Sequence, residues 1–584
     1  MNVVRMQDMP EKVVTVQRTV NLRSRGYTAA MKNISASLFI ALATSALLAA
    51  CAPAPSDDPE LILTGGLIYP LTDNEEPVPA LAIRGDAILA VGSDAEILGL
   101  AGEYTQQMRL EGAVVLPGAY DAWIDLEALG RWNATDLDLR LASSVEEVQA
   151  MVRNAAGGTT RSATDWVIGW GWDENDWPAP LLPDRTALDA TGVERPIALI
   201  HRNGRSAWLN SAGLAALPAL PGEALADPGS DGVIRASNGK PSGVLVGGAL
   251  NALSGILAGD AEARAAWLAG GARLAGAAGI TRAATSPVDV TVIESLLKLE
   301  SGSALPLRVD VRLAPTAVAA YRATNLPRRL EASALVRVVA VGARLDGPLS
   351  SRLAVINEPY QGGTPSPAPA LESALQDALD ASRDAGLPLH LHASGDLAIS
   401  LALTALDEGR APGGALIGFD LLPPEGLQDL SGLWVALAAG RFARDIYWLD
   451  RVLGPQRAQR AHAWSDLADA GVSFSFASDA PAYPARPLAA LAAALTRQDA
   501  EGYPAGGWNL AQSLPQGRLV RALMGDSQGF APGAPADLVV WSEDPVTGSP
   551  DALRRAAALL TIVAGRVAYS RPLVELPMGS EQSP

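Results

Sequence analysis

Leu387-Pro388-Leu389-His390-Leu391-His392 is an apolar run of strand length, and an Ala/Leu-rich stretch of helical length, residues 368–385, stands directly before it. The same succession recurs on both sides. Strand-like runs lie at 305–313, 334–341, 434–437 and 472–476, with helix-length segments between them. Apolar strands alternating with helices mark βα units around a parallel sheet. A closed (β/α)8 barrel of the TIM type is therefore the expected α/β fold. In such barrels chemistry sits at the C-terminal ends of the strands. His390 and His392 are two apart in their strand, so both side chains face the same way, into the barrel.

Outside this region the pattern changes. Residues 61–91 alternate short apolar runs with turns at Gly65-Gly66 and Gly85-Asp86, and a similar texture returns at 536–541 and 559–569. These read as strands and hairpins. The two ends are expected to share one small β-sandwich domain, formed by 61–116 and 532–575, around a barrel at 117–531 that carries an insertion at about 131–260. Residues 576–584 are left as a tail.

The N-terminal region has another character. Met31 and Lys32 precede an apolar run at 38–48, which ends in Leu48-Ala49-Ala50-Cys51. A run of about 11 residues is too short to span a bilayer, which needs roughly 20; with small residues before the cut it reads as an export signal. Its ending resembles the bacterial lipobox, which makes Cys51, the only cysteine of the chain, the expected lipid attachment point. Residues 1–30 are set aside as an extension, and the Pro-rich segment to residue 60 as a tether. Ala52 after the cysteine places the expected location at the bacterial outer membrane, facing the periplasm. A net charge of -18 argues against nucleic acid as a partner.

At Val115-Leu116-Pro117-Gly118-Ala119-Tyr120-Asp121-Ala122 the chain resembles the first barrel strand of the amidohydrolase superfamily. Further segments resemble its amidohydrolase 3 branch, which includes N-substituted formamide deformylases. They are Gly169-Trp170-Gly171-Trp172-Asp173-Glu174-Asn175, Ala207-Trp208-Leu209-Asn210-Ser211, Ser242-Gly243-Val244-Leu245, His392-Ala393-Ser394-Gly395-Asp396, Ser478-Asp479-Ala480-Pro481, Gly506-Gly507-Trp508-Asn509 and Ala536-Asp537-Leu538-Val539-Val540. The resemblance implies a hydrolase of carbon-nitrogen bonds other than peptide bonds, acting on a small amide-type substrate through one or two divalent ions, usually zinc. The ligands it implies are a His-x-His on strand one, a carboxylated lysine, two further histidines and an aspartate.

The sequence departs from that set. Trp123 and Asp125 stand at the His-x-His positions, Gly342 at the lysine, Gly418 at the second late histidine, and Arg205 at a histidine usual before Ala-Trp-x-Asn-Ser. His392 and Asp479 alone keep ligand-type residues, as the implied catalytic pair. The four histidines, His201, His390, His392 and His462, cannot rebuild the usual site.

Three readings remain open. His390, His392, Asp479 and Asp125 could hold one divalent ion, zinc or iron. Asp479 could orient His392 as a metal-free general base. Alternatively, Arg344 or Arg205 could replace the lost metal charge, leaving a salt-bridge network or a pocket for an anionic group, with Trp123 and Trp172 as aromatic lining. The residues weigh toward no metal. The function then divides between a hydrolase of altered chemistry and a non-catalytic, lipid-tethered binding or scaffold protein.

Overall fold

Aliphatic runs broken by glycine turns pair at the start of the described chain as β1 (Leu61–Thr64), β2 (Leu67–Ile68), β3 (Ala80–Arg84), β4 (Ala87–Gly92), β5 (Gln106–Arg109) and β6 (Val114–Pro117). One sheet has the order β4-β3-β1-β5, while β2 and β6 belong to a second. This computed structural model describes residues 58–72, 76–135, 137–157, 165–217, 232–236, 238–363, 371–409 and 413–571. The described residues from Pro59 onward group as one compact unit. The export signal, Cys51 and the tail 576–584 lie outside the described residues.

β7 (Ala119–Ile124) opens the barrel. The chain then leaves it for an insertion whose strands are β8 (Val167–Trp172), β9 (Ile197–His201), β10 (Ser206–Leu209), β11 (Gly232–Arg235) and β12 (Pro241–Val246), in the sheet order β11-β12-β10-β9-β8. It returns through β13 (Ile280–Thr285), β14 (Arg308–Leu313), β15 (Val336–Arg344), β16 (Leu389–Ala393), β17 (Ala415–Gly418), β18 (Trp434–Leu437) and β19 (Ser473–Phe476). These seven and β7 close into an eight-stranded barrel. Every neighbouring pair in it is parallel, with helices such as Leu371–Ala385 in the crossovers. The (β/α)8 architecture expected from the strand and helix alternation is the one found.

β20 (Leu538–Trp541), β21 (Ala558–Val563) and β22 (Arg566–Ser570) complete the second sheet in the order β2-β6-β20-β21-β22. β20 runs antiparallel to β6, with Val539 opposite Leu116. The two sheets enclose Leu63, Leu81, Ile83, Val115, Leu538 and Ile562, all essentially without solvent exposure. Burying such side chains is worth about 1.5–3 kcal/mol each, which is why two chain ends more than 400 residues apart are held as one sandwich. No helix among the described residues is long and apolar enough to cross a membrane.

The insertion is anchored at its base by two helices, Leu126–Asn133 leading out and Ala261–Ala277 leading back. Their backbones touch at glycines. A Cβ at Gly130 would lie 1.7 Å from the Trp267 carbonyl oxygen, and one at Gly271 would lie 1.9 Å from that of Leu126. No rotamer relieves a backbone clash of this kind. A Gly271→Val substitution is therefore expected to destabilise the chain by about 3 kcal/mol or more, at or beyond the upper end of core overpacking. Denaturant unfolding against a Gly270→Val control would test this, because a Cβ at Gly270 meets nothing nearer than 3.7 Å.

Candidate functional site

The C-terminal ends of the barrel strands open into a cavity of about 1300 Å³, lined by Trp123, Asp125, Trp132, Trp170, Arg205, Arg344 and Asp479 among others. β15 carries Arg344 opposite His392 of β16. His392 is fully buried, and its Nε2 accepts a hydrogen bond from Arg344 Nη1 at 3.1 Å. Burial first, then the guanidinium groups of Arg344, Arg441 and Arg205, holds this imidazole well below its ordinary pKa. It is a neutral ring whose outer lone pair is already used.

Asp479 follows β19, with its N–H on the Trp123 carbonyl at 3.0 Å. Its carboxylate pairs with Arg441 and lies 3.7 Å from Arg344. Arg344 thus contacts both His392 and Asp479, and no hydrogen bond between those two is found among the described residues. Arg441 sits in the helix Ala439–Asp445 directly after β18 and also donates to Asp420 Oδ2 at 2.5 Å. Burial works against the charge of Arg441, but Asp420 and Asp479 push its pKa well above the ordinary value. Sequence reasoning missed Arg441 and Asp420. The available signal was position, since each stands just past the C-terminal end of a barrel strand.

The other expected ligands are engaged elsewhere. Asp125 caps the helix Leu126–Asn133, accepting from the Ala128 N–H at 2.8 Å, and burial raises its pKa. His390 lies one layer below His392. Its Nδ1 accepts from Arg312 Nε at 2.9 Å and its Nε2 donates to the Gly413 carbonyl at 3.0 Å; burial first, then Arg312, pushes its pKa down to about 3. At Gly342 an added Cβ would meet the Arg312 side chain at 3.0 Å, so Arg312 occupies the space beside that position. At Gly418 it would come within 3.6 Å of the His392 ring. The reading in which His390, His392, Asp479 and Asp125 hold one ion finds no convergence of the four among the described residues.

Trp123 is 2 % exposed, tilted 5.2 Å from the His392 ring, and has the guanidinium carbons of Arg312 and Arg344 at 5.3 and 5.2 Å from its ring centre. Trp172, expected in the same pocket, is instead fully buried in the insertion, where its Nε1–H donates to the Leu199 carbonyl and its ring stacks on Trp177. The cause is local. Gly171 has φ +104° and the β8–β9 register shifts between Trp170 and Trp172, so this bulge sends two residues of equal parity to opposite faces. Trp170, stacked on Trp132 at 5.8 Å, takes the place at the cavity wall.

Among the described residues, the only group of three or more ligand-type side chains with donor atoms within 4.8 Å of one another is Asp173, Glu174 and His201, in the insertion. His201 Nδ1 accepts the Asn203 N–H at 3.0 Å, which leaves the proton on Nε2, and Nε2–H donates to Glu174 at 3.1 Å. Against burial, the two carboxylates raise the pKa of the ring, and the proton they hold is the one on Nε2. The backbone N–H aimed at Nδ1 nevertheless holds that nitrogen unprotonated. A nitrogen that carries a proton has no lone pair for a metal, so the cluster is a hydrogen-bonded brace.

An eight-stranded α/β barrel with a sandwich built from both chain ends places the molecule in the class of amidohydrolase-type barrels. The amidohydrolase family model, of the amidohydrolase 3 branch, matches residues 108–569, and the chain belongs to that family. It is 26% identical over 538 residues to "Putative amidohydrolase YtcJ" of Bacillus subtilis, covering 87% of this chain and 99% of the relative. It is also 26% identical over 179 residues to the N-substituted formamide deformylase of Arthrobacter pascens, about 30% of this chain and 32% of that one. The fold is shared with an uncharacterized metal-dependent hydrolase from Pyrococcus furiosus at a TM-score of 0.63 and 21% identity, covering 83% of this chain and 100% of that one.

Removing a buried charge from between two carboxylates leaves Asp420 without a guanidinium partner and Asp479 with Arg344 alone, at a cost of about 3–5 kcal/mol. Arg441→Met is expected to lower the denaturant midpoint accordingly. Adding Asp479→Asn is expected to restore part of the loss, because it removes one of the stranded charges. If the second change deepened the loss, Arg441 would not be acting through this pairing.

Proposed function

We propose that this chain is a non-catalytic binding protein on the amidohydrolase fold, with a guanidinium network in place of metal-dependent chemistry, and that a lipid on Cys51 holds it in the bacterial envelope. The observation that carries the reading is that both residues keeping family ligand identity are occupied by arginine. Arg344 donates to His392 Nε2 at 3.1 Å, and Arg441 pairs with Asp479. A divalent ion needs deprotonated, unoccupied donors. It would also have to approach Arg344 and Arg441 against charge repulsion, and the Trp123 ring beside His392 fills space that an ion and its water would need. These residues do not fit the family's metal.

The rival reading is a hydrolase of small carbon-nitrogen substrates, which the names of the formamide deformylase and the Pyrococcus protein bring to mind. Elemental analysis of purified protein, with assays on N-substituted formamides and amides in the presence of zinc, separates the two. The expected outcome is no stoichiometric metal and no turnover. Stoichiometric zinc, iron or manganese that disappears in a His392→Ala variant would overturn the binding reading, as would zinc-dependent hydrolysis.

The envelope anchor is tested independently in a bacterial host supplied with labelled palmitate. The wild-type chain is expected to take up label and fractionate with outer membranes, and Cys51→Ala to do neither. Equal fractionation of both forms would remove the anchor from the reading.

A further inference from the structure

Arg205 stands out among the charges of the cavity. It lies between β9 and β10, and its backbone N–H is held by Asn203 Oδ1 at 2.8 Å. Its Nε is buried without a hydrogen-bond partner, and its guanidinium forms no ion pair or hydrogen bond among the described residues. Arg344 is little better supplied. Its hydrogen bonds go to a neutral imidazole, and its nearest carboxylate oxygen is 3.7 Å away on Asp479, which is already paired with Arg441. Burial, and then the neighbouring guanidiniums of Arg205 and Arg441, lower Arg344 to about 10 against the pull of Asp479. Arg205 and Arg344 therefore share one electropositive region, and both line the cavity.

The remaining charges do not supply the missing anion. Asp125 is spent on its helix cap, and Arg202 has its own carboxylate in Asp176 at 2.9 Å. Asp377, Asp380 and Asp384 reach the same cavity from the helix Leu371–Ala385, where all three are exposed to solvent. Trp132, Trp170, Ile200 and Leu250 supply apolar lining to the same cavity.

We propose that this cavity binds a small monoanionic molecule, with a carboxylate or a similar planar anion seated on Arg205 and Arg344 and an apolar body along the Trp132–Trp170 wall. The proposal rests on the metal-free reading of the barrel mouth. Planar guanidinium groups recognise carboxylates through paired N–H donors, and here Arg344 stands on a barrel strand and Arg205 on a loop held by Asn203, in a partly dehydrated recess. The carboxylates of Asp377, Asp380 and Asp384 in the same cavity disfavour a second negative group on the ligand. Apolar area along the tryptophans provides contact that a bare inorganic anion lacks.

Isothermal calorimetry on the purified full-length protein tests this with phenylacetate and its uncharged counterpart phenylacetamide. Phenylacetate is expected to bind at least tenfold more tightly than the amide, and more weakly as sodium chloride is raised. Arg205→Gln is expected to remove that preference while keeping the wild-type thermal midpoint, and Arg205→Lys to retain part of it. Equal affinity for acid and amide, or no saturation by the acid at millimolar concentration, would overturn the anion subsite. So would an Arg205→Lys variant that folds normally and binds the acid no better than Arg205→Gln. Metal content reports separately on the underlying reading. A metal-free protein indifferent to phenylacetate sinks only this inference, whereas stoichiometric metal lost in His392→Ala sinks the reading beneath it.

Discussion

Arg441 is buried with its guanidinium shared between Asp420 and Asp479, and the geometry of the barrel mouth follows from that constraint. An ion taken out of water at this depth costs several kcal/mol unless opposite charges and hydrogen bonds meet it closely. The three residues stand just past β17, β18 and β19, so satisfying one cation fixes the spacing of three consecutive strand ends. Backbone bonds extend the constraint sideways. The Phe419 N–H reaches the Ala393 carbonyl, the His462 N–H the Asp420 carbonyl, and the Asp479 N–H the Trp123 carbonyl, each at 2.9–3.0 Å. Five of the eight strands are thereby tied at the barrel mouth.

Arg344 is poorly compensated in this network: Asp479 lies 3.7 Å away and already pairs with Arg441, Asp125 and Asp346 act on it without an ion pair, and burial first holds the imidazole it contacts below its ordinary pKa. Trp123 partly relieves this, because the faces of an indole attract cations and two guanidinium groups lie within 5.3 Å of its ring centre. The tryptophan in the His-x-His position therefore does more than fill space. It helps to hold Arg312 and Arg344 beside the position where Gly342 has no side chain to offer.

The barrel was legible because it depends on local alternation that survives averaging over many residues. The run 387–392 reads as a strand between helices whatever its neighbours do, and β16 spans Leu389–Ala393. The shared facing of His390 and His392 was legible too, from the period of two. Their depth was not. Two residues along a strand are separated by roughly 6.6 Å, enough to put one ring on Arg312 in the lower layer and the other on Arg344 at the mouth. Trp172 was misplaced for a related reason, since parity holds only while the pleat is regular and Gly171 breaks it. Arg441 was illegible because its meaning lies in partners 21 and 38 residues away, which no local pattern connects.

Arg205 shows how the insertion completes a site that the barrel alone cannot form. Its loop is set by contacts independent of any ligand. Asn203 Oδ1 accepts the Arg205 N–H, Asn203 Nδ2 donates to Ser351 Oγ of the barrel at 2.5 Å, and the His201 ring takes the Asn203 N–H. The Arg202 guanidinium next to it is held by Asp176, which also pairs with Arg444 on the helix after β18. The wall is therefore braced to the barrel on two sides while its central cation stays unpaired among the described residues. Leaving a buried donor unsatisfied costs about 1–3 kcal/mol. An anion arriving at Arg205 would relieve that cost without first having to order the loop, and this preorganisation is where affinity in a small polar recess chiefly comes from.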